Sequence, residues 1–404
     1  MYRPPHRMTM RPLMGIPRIM RPMNNIRSGA PITRGPGFIP NIPFDMAQCE
    51  SHFPIAYDPD QSNTEDKKLT DLLLKRCQDL TPTPQEQQLV TALVTQLSTI
   101  MDELIINPAA FEAAQFEELR LVGSYKKGTM LTGQNIADAV IIFKTLPTKE
   151  AIQAFKEYLV EKMRNSDLAN ARFLTADVRT YGFEIMTPGC SLRILVATMP
   201  VNLKKLDPQL HLDTKVIQGS LAAVRHIRWF EDNAGHTSIK LLIRLLKDLK
   251  QRYEGFEALS PWIIDLLAHY AILNNPTNNA LPINQAFKRV FQLLSSGLFL
   301  PGSAGIIDPC EQGRVRLHTS MSLEQQDEVC CTAQTLLRVL CHGGYKEILG
   351  YSDRRINFAT DMSRWGDIVV APSDRAYDKL ETVSKESSSE SEDEVKSEPV
   401  KVEV

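Results

Sequence analysis

The sequence predicts an α+β chain: a lobe of mixed sheet and helices, then a mostly helical lobe, with a structureless tail at each end. Three observations predict it. Between residues 119 and 199 short apolar runs of strand character flank one helical pattern, whereas beyond Pro208 every strong pattern is helical. The two ends are biased in composition, basic and Pro-rich at one and acidic and Ser-rich at the other. The expected divisions are a disordered arm at 1–37, a mixed lobe at 38–207, a helical lobe at 208–375 and a disordered tail at 376–404. A chain of 404 residues that is 43% hydrophobic is long and apolar enough for two or three domains with a sizeable core.

The arm carries Arg3, Arg7, Arg11, Arg18, Arg21, Arg27 and Arg34, no acid, and prolines every few residues. Pro lacks the amide hydrogen and fixes φ, so the segment nucleates no helix and buries no core. Its arginines are candidate contacts for the phosphates of RNA or DNA.

From Phe38 to Asp66 the chain reads as irregular, and a helix is expected over Leu69–Leu80. Thr83, Pro84 and Glu86 form a capping box at the start of the next helix, whose Leu89, Val90, Leu93, Val94, Leu97, Met101, Leu104 and Ile105 recur at helical spacing. That apolar stripe predicts packing on a sheet. Thr148 caps a helix running to Arg164, with Ala151, Ile152, Phe155, Leu159 and Met163 inward. Strands are expected at Tyr181–Met186 and Leu192–Met199. In the second lobe the helices fall at about 214–232, 238–252, 261–273, 282–296 and 322–340, the last opened by a second capping box, Ser322 with Gln325.

The richest stretch is 123–143. An apolar run, Leu119–Val122, enters a loop punctuated by Gly123, Gly128 and Gly133, and the chain leaves it in a run where Val140 and Ile142 share one face and Ile141 and Phe143 the other. Positions 136 and 138 project the same way, so two carboxylates there would clamp metal ions. The chain has Ile136 and Asp138.

This strand, loop and strand resembles the template-independent nucleotidyltransferases, especially the oligoadenylate synthetase and poly(A) polymerase branch. The resemblance implies that Gly123 and Ser124 stand where a Gly-Ser pair holds a triphosphate, and that an Asp-x-Asp pair plus a third Asp on a later strand would hold two magnesium ions. Ile136 replaces the first acid. The third is expected on the strand running into Pro200, where the matching position is Ala197 and no carboxylate occurs from Leu192 to Met199. Two ions about 3.5–4 Å apart need several acidic ligands, and Asp138 alone is too few. The expectation is a nucleotidyltransferase fold without the chemistry and with Asp138 vestigial, against an active enzyme in which Glu117, Glu118 or Glu184 assists Asp138.

With Leu203–Asp213, Arg228–Glu231, Leu241–Leu249 and Gly297–Gly302 added, the chain resembles the DZF domain from about residue 38 to 375. The resemblance implies a pseudoenzyme whose helical lobe pairs with DZF paralogues bearing double-stranded-RNA-binding domains, and which acts in transcription and RNA processing in the nucleus, with some cytoplasmic fraction. Gly123, Ser124, Lys126, Lys127 and Thr129 are candidate contacts for ATP or another nucleoside triphosphate, held without a metal. Lys240, Arg244 and Lys247, at i, i+4 and i+7, form a basic helix face read either as solvated or as meeting RNA or triphosphate.

Other chemistries find little support. The seven cysteines form no Cys-x-x-Cys pair and no zinc-like spacing with the eight histidines, which suits a reducing compartment and predicts no metal site. Cys330, Cys331 and Cys341 with His342 fall on one helix and read as core. His211, His226, His236 and His269 accompany no nucleophile motif. No run of about 18 apolar residues is present, so no membrane partner is expected. Trp229, Phe230 and Trp262 sit among apolar helical positions and read as core in preference to interface. In the tail, Ser387, Ser389 and Ser391 each precede an acid by three residues and are candidate phosphorylation sites.

Overall fold

A computed structural model describes residues 44–54, 64–166, 171–276, 279–354 and 356–376. The arginine arm and the serine-acid tail lie outside the described residues. In chain order the helices and strands begin with α1 (Met46–His52), α2 (Thr64–Asp79) and α3 (Pro84–Ile106), followed by β1 (Phe116–Val122), α4 (Gly123–Lys127), β2 (Ile136–Phe143) and α5 (Lys149–Arg164). The antiparallel run β3 (Thr175–Arg179), β4 (Gly182–Thr187) and β5 (Cys190–Thr198) comes next. Helices α6 (Thr214–Asn233), α7 (Thr237–Arg252), α8 (Pro261–Leu273), α9 (Ile283–Ser295), α10 (Leu323–Cys341) and α11 (Tyr345–Ile348) precede a short hairpin of β6 (Ser363–Trp365) and β7 (Ile368–Val370).

The five-stranded sheet has the order β1-β2-β5-β4-β3 and is mixed, because only β2 and β5 run parallel. That parallel pair needs a crossover, and α5 supplies it. One sheet face, with Ala137, Ala139, Ile141, Phe143, Ile194 and Val196, packs on α3 and α5. Phe155 of α5 is the hub there, its ring centroid 4.6–6.0 Å from those of Phe111, Phe116, Phe143 and Phe183. Helix α3 is long and apolar enough by composition to cross a membrane, and in this fold its stripe from Val90 to Leu104 covers the sheet.

Helix α6 sits on the opposite face, where Ile217 and Ile227 meet Val122, Val140, Ile142 and Ala197. The helical lobe therefore does not begin cleanly at residue 208. From Ile217 to Ile227 α6 belongs to the sheet, while Phe230 and Ala234 at its end join the second core with α2, α7, α8, α9 and α10. An amphipathic pattern reports that one face is buried, not against which lobe.

Both capping boxes form as expected, at Thr83 with Glu86 and at Ser322 with Gln325. Thr148 caps α5 by accepting from the Ala151 amide. Three expectations need correction. The segment from Phe38 to Asp66 contains a helix at Met46–His52, capped by Asp45, and α2 already begins at Thr64. The glycine loop opens with the single helical turn α4. Strand β3 and the β6–β7 hairpin went unread, since β3 is a polar edge strand with no alternation to report.

Candidate functional site

The site is built where β1 ends. Gly123 turns the chain with φ +67°, and a Cβ there would come within 2.1 Å of the Asp138 carboxylate, so only glycine lets the backbone pass so close. Gly128, at φ +69°, ends α4 in the left-handed conformation. The loop then carries Thr129 into full burial before β2 presents Asp138.

Register across the sheet decides what faces that carboxylate. Ile136 opens β2 on the same face, so the first metal-binding position is apolar. Asp138 pairs in register with Arg193 of β5, and the guanidinium Nε lies 2.7 Å from Asp138 Oδ1. The N–H is not aligned along that contact, which makes it a charge pair rather than a straight hydrogen bond. Ala197 is not the residue opposite Asp138. It pairs with Ile142, four positions and about 13 Å further along the strand. The neighbouring-strand group at this site is a cation.

The acids proposed to assist Asp138 are elsewhere. Glu184 stands in register with Arg193 but one strand beyond it, about 10 Å from Asp138 at ordinary strand spacing, and accepts from Ser191. Glu118 pairs with Arg120 and Glu117 with Lys144, near the far end of β1.

The basic face of α7 is turned onto the glycine loop and is not a free surface stripe. Lys247 Nζ donates to Ser124 Oγ at 2.7 Å and to the carbonyl and hydroxyl of Thr129 at 3.1 Å. Arg244 donates to the carbonyls of Gly128 at 2.8 Å and Met130 at 3.3 Å, and Lys240 lies beside Gly128. Loop carbonyls only accept and the hydroxyls have lone pairs free to accept, so cations of the helix satisfy them.

Lys127 is likewise committed. Its ammonium is buried against Asp265 of α8 at 2.5 Å, with the Phe230 and Trp262 rings each 5.4 Å away. Lys126 reaches the surface and pairs with Glu231 at 3.0 Å. Of the candidate triphosphate contacts, Gly123, Ser124, Thr129 and Lys247 therefore converge, while Lys126 and Lys127 turn to α6 and α8.

The local field follows. Burial raises the Asp138 carboxyl above its ordinary range, opposed by the charges of Arg193, Lys247 and Lys127. Burial also lowers Lys247 to about 8, with Lys127 and Arg244 adding repulsion and Asp265 and Asp138 opposing. Two carboxylates, Asp138 and Asp265, against Arg193, Lys247, Lys127 and Arg244 leave a positive excess, which disfavours a divalent metal and favours an anion.

Sequence reading missed Arg193, Asp265 and Asp308. Asp308 lies in the loop between α9 and α10 and accepts from Trp262 Nε1 at 2.9 Å. A separate cleft of about 810 Å³ opens in the helical lobe around Tyr253, Glu328 and Phe358, and none of the residues lining it belongs to the sheet site.

Comparison with known proteins bears on the fold. A family model described as the DZF N-terminal domain matches residues 25–235, and one described as the DZF C-terminal domain matches residues 238–371. The two meet between α6 and α7, later than the expected division at 207/208. Among solved structures, CdnC in the E. coli MS115-1 CdnC:HORMA-deltaN complex is 14% identical at TM-score 0.50, the match covering 71% of this chain and 98% of that one. A cytoplasmic RNA terminal U-transferase is 12% identical at TM-score 0.45, covering 72% and 100%. The Cid1 poly(U) polymerase is 9% identical at 0.46, covering 70% and 98%. The fold is that of the nucleotidyltransferases, a mixed-sheet lobe with a helical partner lobe.

Proposed function

The chain belongs to the DZF-domain family, and from that premise we propose that it is a catalytically inactive nucleotidyltransferase-fold subunit. It pairs through its helical lobe with a DZF paralogue that carries double-stranded-RNA-binding domains, and it serves transcription regulation and RNA processing. One observation carries the inactivity: Asp138 is held by Arg193 where metal-bound chemistry needs further acids, with Ile136 at the remaining position. A guanidinium beside the one carboxylate competes with metal for its charge, which supports the reading that two ions are not held here.

The same charges support metal-free binding of a nucleoside triphosphate, through Ser124 and the ammonium of Lys247, with the buried Thr129 behind them holding Lys247 in place. RNA selectivity would then come from the partner, and the address of the complex is nuclear with a cytoplasmic fraction. Ser387, Ser389 and Ser391 are assigned to phosphorylation in the tail.

The test is affinity purification of the full chain from nuclease-treated nuclear extract, with stoichiometry read by mass spectrometry. A partner bearing RNA-binding domains at close to one copy per chain is expected. Recovery of the chain alone, once bridging RNA has been removed, would contradict the reading.

A further inference from the structure

A helix residue and two residues of one distant loop bring three different metal-ligating atoms together outside the sheet site. His226 lies on α6, and Asp308 and Cys310 lie in the loop between α9 and α10. One ligand atom from each lies within 4.8 Å of the other two. We propose that His226, Asp308 and Cys310 form a binding site for a zinc-like divalent transition metal ion.

The chemistry of the set selects the class. A mixed nitrogen, oxygen and sulfur shell suits zinc and its neighbours, whereas calcium and magnesium take oxygen. A tetrahedral zinc with bonds of about 2.0–2.3 Å holds its ligand atoms roughly 3.5 Å apart, so closure asks for a movement of about 1 Å. Cys310 stands in a loop and is half-buried, and its thiol is held only by the Arg225 carbonyl at 3.6 Å. A side-chain rotation supplies that movement.

The surroundings already hold the other two ligands. The His226 ring is stacked on Trp262 at 3.9 Å and 7°, and Trp262 Nε1 donates to Asp308 Oδ2 at 2.9 Å. One tryptophan therefore orients both, as an outer-shell group does in metal sites. Each Asp308 oxygen keeps a free lone pair, since Oδ1 accepts only the Cys310 amide and Oδ2 only the indole.

Charge points to the same ligand class. The nearby cations are matched: Lys127 pairs with Asp265 and Arg225 with Glu311. Asp308 is 8% exposed and forms no ion pair among the described residues, so a carboxylate is buried on neutral donors alone. Burying an uncompensated charge is costly, and a bound cation removes that cost. With three protein ligands, two of them half-exposed, a fourth position is left for water or for a ligand from a partner.

The test uses the full chain, reduced and freed of metal by chelation, titrated with cobalt(II) as a spectroscopic probe and then with zinc(II). The expected result is a thiolate-to-cobalt charge-transfer absorption that saturates at one ion per chain and bleaches with zinc. Cys310→Ser should abolish the band and weaken zinc by more than the roughly 10–100-fold that loss of an outer-shell partner costs. Serine keeps a donor for the Arg225 carbonyl, and circular dichroism would verify the fold. Cys341→Ser, at the exposed thiol of α10, should leave the band intact. No band at stoichiometric cobalt, or a band that survives Cys310→Ser, would overturn the proposal. The readout is independent of partner recovery, so its failure leaves the pseudoenzyme reading standing.

Discussion

Asp138 meets Arg193 where a metal site needs further carboxylates, and Lys247 fills the cradle beside it. Burial holds Lys247 at about 8, below the unfolded value of about 10.4, so between those limits the unfolded chain binds more protons than the folded one. Stability relative to Lys247→Met should therefore rise with pH from about 8 to 10, as denaturant titrations across that range would read. Triphosphate affinity, which needs the charged ammonium, should fall as pH passes about 8 in a fluorescent-nucleotide binding assay. The inter-lobe pair offers a sharper mutation. Asp265→Ala strands the buried Lys127 ammonium and should cost about 3–5 kcal/mol in urea unfolding. Lys126→Ala, which breaks an exposed pair, should cost within about 1 kcal/mol. That Ile136 and Asp138 share a face of β2 was legible because strand alternation is local. Arg193 was not, because β2–β5 register joins residues more than fifty positions apart.

At the scale of elements, caps and stripes carried most of the information. Thr83 with Glu86 and Ser322 with Gln325 set helix starts from four residues each, and removing the Thr83 hydroxyl in Thr83→Ala should cost about 1 kcal/mol of thermal or urea stability. Phe155, the aromatic hub between α5 and the sheet, should lose about 3–5 kcal/mol on change to Ala, the largest effect expected in that core. Elements without periodic burial stayed hidden. Strand β3 exposes most of its residues, β6 and β7 are three residues each, and α1 is a short helix that buries Cys49 alone. The basic face of α7 was visible as a stripe, yet its partner was not, because it faces loop backbone that has no sequence signature. The His226, Asp308 and Cys310 cluster was hidden for a similar reason, as loop folding rather than motif spacing brings its members together.

The described residues join a mixed sheet to a helical lobe through α6, which covers the sheet as far as Ile227 and whose end enters the second core. Lys127 with Asp265 and Lys247 with the glycine loop then tie the lobes beside Asp138. The architecture is a nucleotidyltransferase fold whose glycine loop is held by cations of the helical lobe. Its central claim, loss of catalysis with retention of the fold, is tested most directly by incubating the purified chain with magnesium or manganese, labelled nucleoside triphosphates and RNA, beside Asp138→Ala. No extended or oligomeric product above background is expected from either protein. Metal-dependent product from the wild-type chain that disappears in Asp138→Ala would contradict the account.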